Sequence, residues 1–322
     1  MHAVAMMLLL LHGTTAQDGS YSEITSGLGL SIRVQYPSTA SEGVPLVVFL
    51  HGTKIDPSWG DTDALAQFAA QEMGVAFALL EWPNWDGSDY NFDGFSVEYY
   101  CNATADKAAQ LFGHTETTSL SALCALEAID CSKGVGVAGY SQGAAIGSMA
   151  AALDDRVTAF FSIALNTVVV YADLEEATCH RDATLPPSAR RYLHGGADAD
   201  WNPEQVPLPA PYNDDLEVGI YSLVATSGYD CGDQLDCLQP DGSGYFIVPG
   251  VDHFDIYAFS FDEWTGEGMA AFGPMLNGLV WLMARATTDA PGCPCPAGSR
   301  RELLFGSDFL RVPLGPDRAP WR

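Results

Sequence analysis

The stretch GVGVAGYSQGAAIGSMA, residues 134–150, decides the fold. Its apolar beginning, 134–138, predicts a buried β-strand, and the small residues of 144–153 predict a helix. Between them lies Gly139-Tyr140-Ser141-Gln142-Gly143. A Gly-x-Ser-x-Gly sequence between strand and helix is typical of a nucleophile elbow, whose sharp turn lifts the serine hydroxyl out of the sheet and needs small residues on either side. Ser141 is therefore the candidate nucleophile, with an incidental Gly/Ser turn as the alternative.

The alternation of strand and helix continues on both sides of this stretch. Apolar runs predict further buried strands, and helical spacing of apolar residues predicts further helices. The strands are expected at 44–50, 75–80, 156–165, 191–194 and 245–248, and the helices at 61–73 and 269–286. Continuous apolar strands separated by helices predict an α/β fold with a mainly parallel central sheet and helices on both faces.

Two stretches interrupt this alternation inside the expected catalytic domain, 17–286. Residues 82–118 are aromatic and rich in Gly, Asp and Asn, which predicts a cap or substrate-contacting insert, or an insert without function. Residues 201–216 hold four prolines and predict an irregular connection. The tail, 287–322, is rich in Pro, Gly and Arg and is predicted to be disordered.

The N-terminus predicts export from the cell. Residues 1–16 contain the apolar run Met6-Met7-Leu8-Leu9-Leu10-Leu11 and end in Thr14-Thr15-Ala16, where cleavage is expected before Gln17. The run is too short to span a bilayer and is typical of a secretory signal peptide. A buried first strand or helix is the alternative. Asn102-Ala103-Thr104 is a glycosylation sequon that matters only in an exported chain.

The eight cysteines agree with export, because an even number behind a signal peptide favours disulfides. Local spacing predicts Cys231–Cys237 and Cys124–Cys131. Cys101 and Cys179 are left to pair with each other or to exchange partners. A zinc site is the rival interpretation, but Cys293-Pro294-Cys295 lacks the usual two-residue gap.

The charge balance excludes some partners. Fourteen Lys and Arg face 41 Asp and Glu, giving a net charge of −27. Such a surface repels phosphate backbones and anionic membranes, so we expect no nucleic-acid partner. Solubility in a salty or extracellular medium explains the charge. A cationic substrate is the sharper alternative, but the acidic residues do not cluster enough to support it. No later segment is apolar enough to span a membrane.

A serine nucleophile needs a base, and in proteins with this elbow an acid and then a histidine follow the serine along the chain. Three histidines follow Ser141: His180, His194 and His253. The first two leave little room for an intervening acid. His253 lies just after the last predicted strand, within 248–254, where a loop can place its imidazole beside the elbow. His253 is therefore the candidate base, and a surface loop residue is the alternative.

The candidate acid is Asp198. It follows a short strand and a glycine turn in Leu193-His194-Gly195-Gly196-Ala197-Asp198. A carboxylate there can accept the Nδ1 hydrogen of His253 and fix its tautomer. Asp200 is the main competitor, and Asp173 a more distant one.

Acyl transfer also needs donors for the developing oxyanion. One is expected to be the backbone N–H of Gln142, the residue after the nucleophile. The other is expected from the loop after the early strand, with Thr53 in His51-Gly52-Thr53-Lys54 as the candidate. His51 itself is expected to pack beneath that loop.

Four aromatic residues of the insert are candidates for an acyl pocket, with simple packing of the insert as the alternative. They are Trp82, Trp85, Phe92 and Phe95.

The sequence resembles the α/β-hydrolase superfamily over about 44–286. The motifs that carry the resemblance occur in the order of that superfamily: Leu50-His51-Gly52-Thr53, Gly139-Tyr140-Ser141-Gln142-Gly143, His194-Gly195-Gly196-Ala197-Asp198 and Asp252-His253. The pentapeptide is similar to that of cutinases and small carboxylesterases. The chain departs from cutinases in its length and in the separation of its acid and histidine. Its region 231–248, with Asp241-Gly242-Ser243-Gly244-Tyr245, more closely resembles poorly characterised secreted α/β-hydrolases.

The resemblance implies the α/β-hydrolase fold and a secreted serine esterase that needs no metal or cofactor. Its expected partner is a small-molecule or polymeric ester, and the enzyme is expected to be a monomer. Peptides and thioesters remain alternative substrates, because the same triad can serve them. A non-catalytic binding protein on a hydrolase scaffold is the alternative from another functional class.

Overall fold

A nine-stranded sheet forms the centre of the described part of the chain. The computed structural model describes residues 22–37, 43–52, 62–83, 97–165, 185–196, 223, 227–232, 234–253, 255–257 and 268–287. The strands are β1 (Ser22–Thr25), β2 (Ser31–Gln35), β3 (Leu46–Leu50), β4 (Ala76–Leu80), β5 (Val135–Tyr140), β6 (Val157–Ile163), β7 (Arg190–Gly195), β8 (Asp236–Leu238) and β9 (Gly244–Val248). The helices are α1 (Asp63–Gln71), α2 (Val97–Leu111), α3 (Ser119–Cys124), α4 (Gln142–Ser148), α5 (Ala150–Leu153) and α6 (Gly268–Thr287).

The sheet is mainly parallel, as predicted. Its strand order is β1-β2-β4-β3-β5-β6-β7-β9-β8. The six adjacent strands β4, β3, β5, β6, β7 and β9 pair in parallel. Strands β1, β2 and β8 join this run at its two edges in antiparallel pairs. The carboxyl ends of the six parallel strands therefore meet at one edge, where parallel sheets place their functional side chains.

Helices cover both faces of the sheet, and β3 shows why. All five of its residues are buried. Leu46, Val48 and Leu50 belong to the core on the face of α2, α3 and α4. Val47 and Phe49 belong to the core on the opposite face, together with residues of α1 and α6. A strand covered on both faces has no polar side, which explains its continuous apolar sequence.

Five elements were not predicted from the sequence: β1, β2, β8, α2 and α3. Helix α2 lies inside the stretch expected as an insert, 82–118, and its Ala108 and Leu111 are fully buried in the core. Residues 84–96, which precede α2 in that stretch, lie outside the described residues. So do the proline-rich connection 201–216, the expected signal peptide and the tail after 287.

Both local disulfides predicted from the sequence are present. Cys124 and Cys131 are bonded with their Cα atoms 5.6 Å apart, and Cys231 and Cys237 with theirs 5.8 Å apart. The structure does not describe the side chain of Cys101 or the residues Cys179, Cys293 and Cys295, so the predictions about these four cysteines remain predictions. Among the described helices, none has the length and apolar character needed to cross a membrane.

Candidate active site

Ser141 occupies a strained turn between β5 and α4. Its φ and ψ are 53° and −122°, which is a conformation that residues other than glycine rarely adopt. Its N–H donates to the carbonyl of Ile163 in the neighbouring strand β6 at 3.0 Å, and its own carbonyl accepts from Ala144 N–H at 2.9 Å. These bonds hold both sides of the turn, so the strain is imposed by the sheet and the helix together.

The two glycines of the pentapeptide are required by close backbone contacts. A Cβ atom on Gly139 would overlap the carbonyl of Gly143. A Cβ atom on Gly143 would overlap the carbonyl oxygens of Leu50 and His51 at the end of β3. The start of α4 is therefore in direct contact with the segment that leaves β3, as the predicted elbow requires.

His253 lies beside Ser141. Its Nε2 is 2.9 Å from Ser141 Oγ, and the hydroxyl can donate to this nitrogen in the tautomer that carries hydrogen on Nδ1. His253 is 4 % exposed and Ser141 is 8 % exposed, so water has little access to the pair. The loop that carries His253 follows β9, and Asp252 caps the short 3₁₀ turn after it by accepting from Asp255 N–H at 2.8 Å.

Tyr140 makes a second contact with the same loop. Its hydroxyl donates to the backbone carbonyl of His253 at 2.7 Å, and the two rings lie 5.2 Å apart between centroids. A buried tyrosine hydroxyl usually has a polar partner, but the sequence does not indicate which one, and this contact was not predicted.

The three candidate acids, Asp198, Asp200 and Asp173, lie outside the described residues. The turn that leads toward Asp198 is described. Gly196 N–H donates to Val248 O at 2.8 Å, and a Cβ atom on Gly195 would overlap the carbonyl of Val251. The chain therefore leaves β7 in contact with the loop that carries His253.

Of the two expected oxyanion donors, Gln142 is described and Thr53 is not. Gln142 is the first residue of α4 and is fully buried. The N–H groups of a first helical turn have no partner within their own helix and point out of its N-terminus. His51, at the end of β3, is 3 % exposed with its ring edge-on to Phe49. Desolvation by burial lowers the pKa of His51 to about 4, so its ring is neutral at pH 7.

Of the four candidate pocket residues, only Trp82 is described. Its ring is 2 % exposed and belongs to the core beneath α2. Lys107 Nζ lies 4.7 Å from the ring centroid, in a cation–π contact. Trp82 thus packs against the helix, and its place in an acyl pocket stays a prediction.

One group of metal-ligating residue types occurs among the described residues. His114, Asp154 and Asp155 bring their ligand atoms within 4.8 Å of one another. Arg156 already donates to both carboxylate oxygens of Asp154, at 2.8 and 2.6 Å. We therefore interpret this group as a salt-bridged cluster, in which His114 follows α2 and the two aspartates follow α5.

Comparison with known proteins supports the fold. No protein-family profile and no curated protein matches the chain. Among solved structures, an S-formylglutathione hydrolase from Agrobacterium tumefaciens covers 85 % of this chain and 98 % of its own, with 15 % identity and a TM-score of 0.50. A hyperthermophilic esterase from Pyrobaculum calidifontis covers 88 % of this chain and 89 % of its own, with 16 % identity and a TM-score of 0.46. An α/β serine hydrolase without a lid from Xanthomonas campestris covers 86 % of this chain and 98 % of its own, with 15 % identity and a TM-score of 0.43.

At 15 % identity and a TM-score of 0.50, the similarity to the Agrobacterium structure bears on the fold alone. The strand order and the parallel centre of the sheet, as described above, agree with that fold. The similarity of the pentapeptide to cutinases in particular stays a prediction. The chain has the α/β-hydrolase fold.

Proposed function

We propose that the chain is a secreted serine hydrolase that cleaves carboxylic esters through an acyl-Ser141 intermediate. The observation that carries this proposal is the 2.9 Å contact between Ser141 Oγ and His253 Nε2 at a strained elbow. A nucleophile within hydrogen-bond distance of a base is the arrangement that covalent acyl transfer requires. Burial of the pair adds support, because electrostatic interactions are stronger where water is excluded.

In the first half of the reaction His253 Nε2 takes the proton of Ser141 as Oγ attacks the ester carbonyl carbon. The new C–O bond produces a tetrahedral oxyanion. The carbonyl re-forms, the bond to the alcohol breaks, and His253 returns the proton to the departing oxygen. In the second half water attacks the acyl-serine, His253 takes its proton and then gives it to Ser141 Oγ, and the acid is released.

Asp198 is the proposed acid of the triad. It would accept the hydrogen on Nδ1 of His253 and stabilise the imidazolium. The contact of Gly195 and Gly196 with the histidine loop supports this choice, because it brings the exit of β7 to that loop. The proposed oxyanion donors are the backbone N–H groups of Gln142 and Thr53, each worth on the order of 10² to 10³ in rate.

The test is labelling of the purified protein with a fluorophosphonate, combined with turnover of p-nitrophenyl esters of increasing acyl length. We expect the wild type to be labelled and active, and Ser141→Ala and His253→Gln to be inactive. Ser148→Ala is the matched control, since Ser148 is equally buried and its hydroxyl donates to Ala145 O in α4. Retained labelling of Ser141→Ala would refute the proposal.

The same panel separates the alternative activities. A p-nitroanilide peptide and an acyl thioester of matched acyl length are included beside the esters. Preference for the anilide would identify a peptidase, and preference for the thioester a thioesterase. A wild type that is neither labelled nor active would favour the non-catalytic binding protein.

Export is part of the proposal. Two disulfides among the described residues support it, because disulfides persist in oxidising compartments. Asn102 of the sequon is exposed on α2, which is compatible with a glycan. Expression of the full chain in a secreting host should give a mature protein in the medium that begins at Gln17. Retention of residues 1–16 in the secreted protein would contradict the signal peptide.

A further inference from the structure

Tyr140 connects the nucleophile to the loop of the proposed base. It immediately precedes Ser141 at the end of β5, and it is 1 % exposed. Its hydroxyl donates to the carbonyl of His253 at 2.7 Å, and its ring lies 5.2 Å from the imidazole with the planes inclined by 38°. One side chain thus holds the backbone of His253 and packs against its ring.

The loop that carries His253 needs such an anchor. It leaves β9 through Gly250, whose φ of 72° marks a sharp turn. The only regular structure after it in the described part of the chain, before 258, is the short 3₁₀ turn Asp255–Tyr257. The bond from Tyr140 ties this loop to β5, at a point next to Ser141. A displacement of about 1 Å between reacting groups can cost about 10²-fold in rate.

We propose that Tyr140 is a positioning residue, which fixes His253 relative to Ser141 through its hydroxyl. This inference rests on the proposed function of Ser141 and His253. Tyr140 itself is too buried to touch a substrate, and it transfers no proton in the reaction. Its contribution is to the geometry of the pair that does.

The test compares Tyr140→Phe with Tyr229→Phe. The first keeps the ring and removes only the hydroxyl that holds His253. The second removes a comparable hydroxyl, because Tyr229 Oη bonds Ser243 Oγ at 2.9 Å at the opposite end of β9. The rate constant and the final extent of fluorophosphonate labelling are measured for each protein. The final extent counts folded, competent sites, and the rate reports how well each site is arranged.

For Tyr140→Phe we expect labelling to reach the wild-type extent at a rate about tenfold lower, which corresponds to the loss of one buried hydrogen bond. With a p-nitrophenyl ester, kcat should fall by a similar factor while KM stays within about twofold, as expected when substrate binding is unchanged. Tyr229→Phe should match the wild type in both rate and extent.

The outcomes separate this inference from the proposed function. A wild-type labelling rate in Tyr140→Phe, with Ser141→Ala unlabelled, would overturn the positioning role and leave the hydrolase intact. A lower extent of labelling at an unchanged rate would also overturn it, since Tyr140 would then serve folding alone. Labelling of Ser141→Ala would remove the proposed function and this inference together.

Discussion

Ser141 Oγ and His253 Nε2 lie 2.9 Å apart although 112 positions separate them in the sequence. The sheet brings them together, because each residue follows a strand whose carboxyl end lies at the same edge. The elbow holds Ser141 above β5, and the end of β9 delivers the histidine loop to the same edge of the sheet. The geometry of the pair therefore depends on residues that take no part in proton transfer, and several of them can be tested.

Gly143→Ala should disrupt the elbow. Its Cβ would overlap the backbone carbonyls of Leu50 and His51, which cannot move without shifting β3. We expect the free energy of unfolding to fall by about 1–3 kcal/mol. Ester turnover should fall by about 100-fold, because α4 carries Gln142 and follows Ser141 directly.

Gly147→Ala is the matched control in the same helix. A Cβ there would meet side-chain atoms of Phe160, Val137 and Leu50 at 3.0, 3.1 and 3.5 Å, and these can adjust. Its stability should change by less than about 1 kcal/mol. Equal losses in the two variants would show that the backbone contact of Gly143 is not what constrains the elbow.

The inner strands and the elbow could be predicted from the sequence because of their burial. Strands β3 and β4 are covered on both faces, so each is a continuous apolar run bounded by polar or turn residues. The edge strands β1 and β8 were not predicted, because neither forms a continuous apolar run in the sequence. Strand β1 is half exposed along its length, and β8 has only three residues. Helix α2 escaped because Asn102 and Thr104 interrupt its apolar pattern.

The site was predictable in part. The order of serine, acid and histidine along the chain singled out His253 as the base. A histidine in the loop after the last inner strand lies at the edge of the sheet where the elbow also lies. The contact of Tyr140 with the His253 carbonyl could not be predicted, because it depends on the height of one loop above the sheet. Order along the chain also cannot separate Asp198 from Asp200, which differ by two positions.

His51 should make the fold sensitive to acid. Desolvation lowers its pKa in the folded protein to about 4, below the ordinary 6.5 of an unfolded chain. Between these values the unfolded state binds a proton that the folded state does not, so the free energy of unfolding falls as pH falls from about 6.5 to 4. The contribution of His51 to this fall is about 3 kcal/mol.

Urea unfolding of the wild type and of His51→Gln, measured from pH 8 to pH 4.5, isolates this contribution. The two stability curves should run parallel above pH 7. Below it the wild type should lose more stability than the variant, so that the difference between them narrows or reverses. Curves that stay parallel down to pH 4.5 would mean that His51 protonates in the folded protein as easily as in the unfolded chain.

The disulfide between Cys124 and Cys131 should stabilise the fold measurably. It closes a short loop, with a sequence separation of 7, and Cys131 is buried. Loop closure of this length predicts that Cys124→Ser/Cys131→Ser loses about 2 kcal/mol. The reduced wild type, measured in dithiothreitol, is the control for the other bonds. No difference between the double variant and the oxidised wild type would exclude a stabilising role.

Asp154→Asn should destabilise the turn between α5 and β6. Burial by itself would raise the pKa of Asp154, but hydrogen bonds from Arg156 and Gly113 N–H outweigh it and lower that pKa. The ionised carboxylate therefore stabilises the fold above the unfolded pKa, and this stability is lost as pH falls through the folded value. At pH 7 we expect a loss of about 2 kcal/mol from denaturant unfolding. Asp155→Asn, with a side chain 87 % exposed, should change stability by less than about 0.5 kcal/mol.

Asp198→Asn and Asp200→Asn together decide the acid of the proposed triad. The exit of β7 through Gly195 and Gly196 is in contact with the His253 loop, and Asp198 is the nearer of the two along the chain. An asparagine there can offer its amide hydrogen to Nδ1 and so favour the tautomer in which Nε2 carries hydrogen and cannot accept the serine proton. We expect Asp198→Asn to lower kcat by on the order of 10³ to 10⁴. Asp200→Asn should stay within about tenfold of the wild type.

The measurement is kcat on one p-nitrophenyl ester, with fluorophosphonate labelling as the second readout. Ester turnover in Ser141→Ala sets the background, because an asparagine variant that keeps the serine nucleophile should still exceed it. A large loss in Asp200→Asn with little change in Asp198→Asn would transfer the role to Asp200. Activity retained in both would mean that the acid comes from another strand, and Asp173, which follows β6 in the sequence, becomes the residue to test.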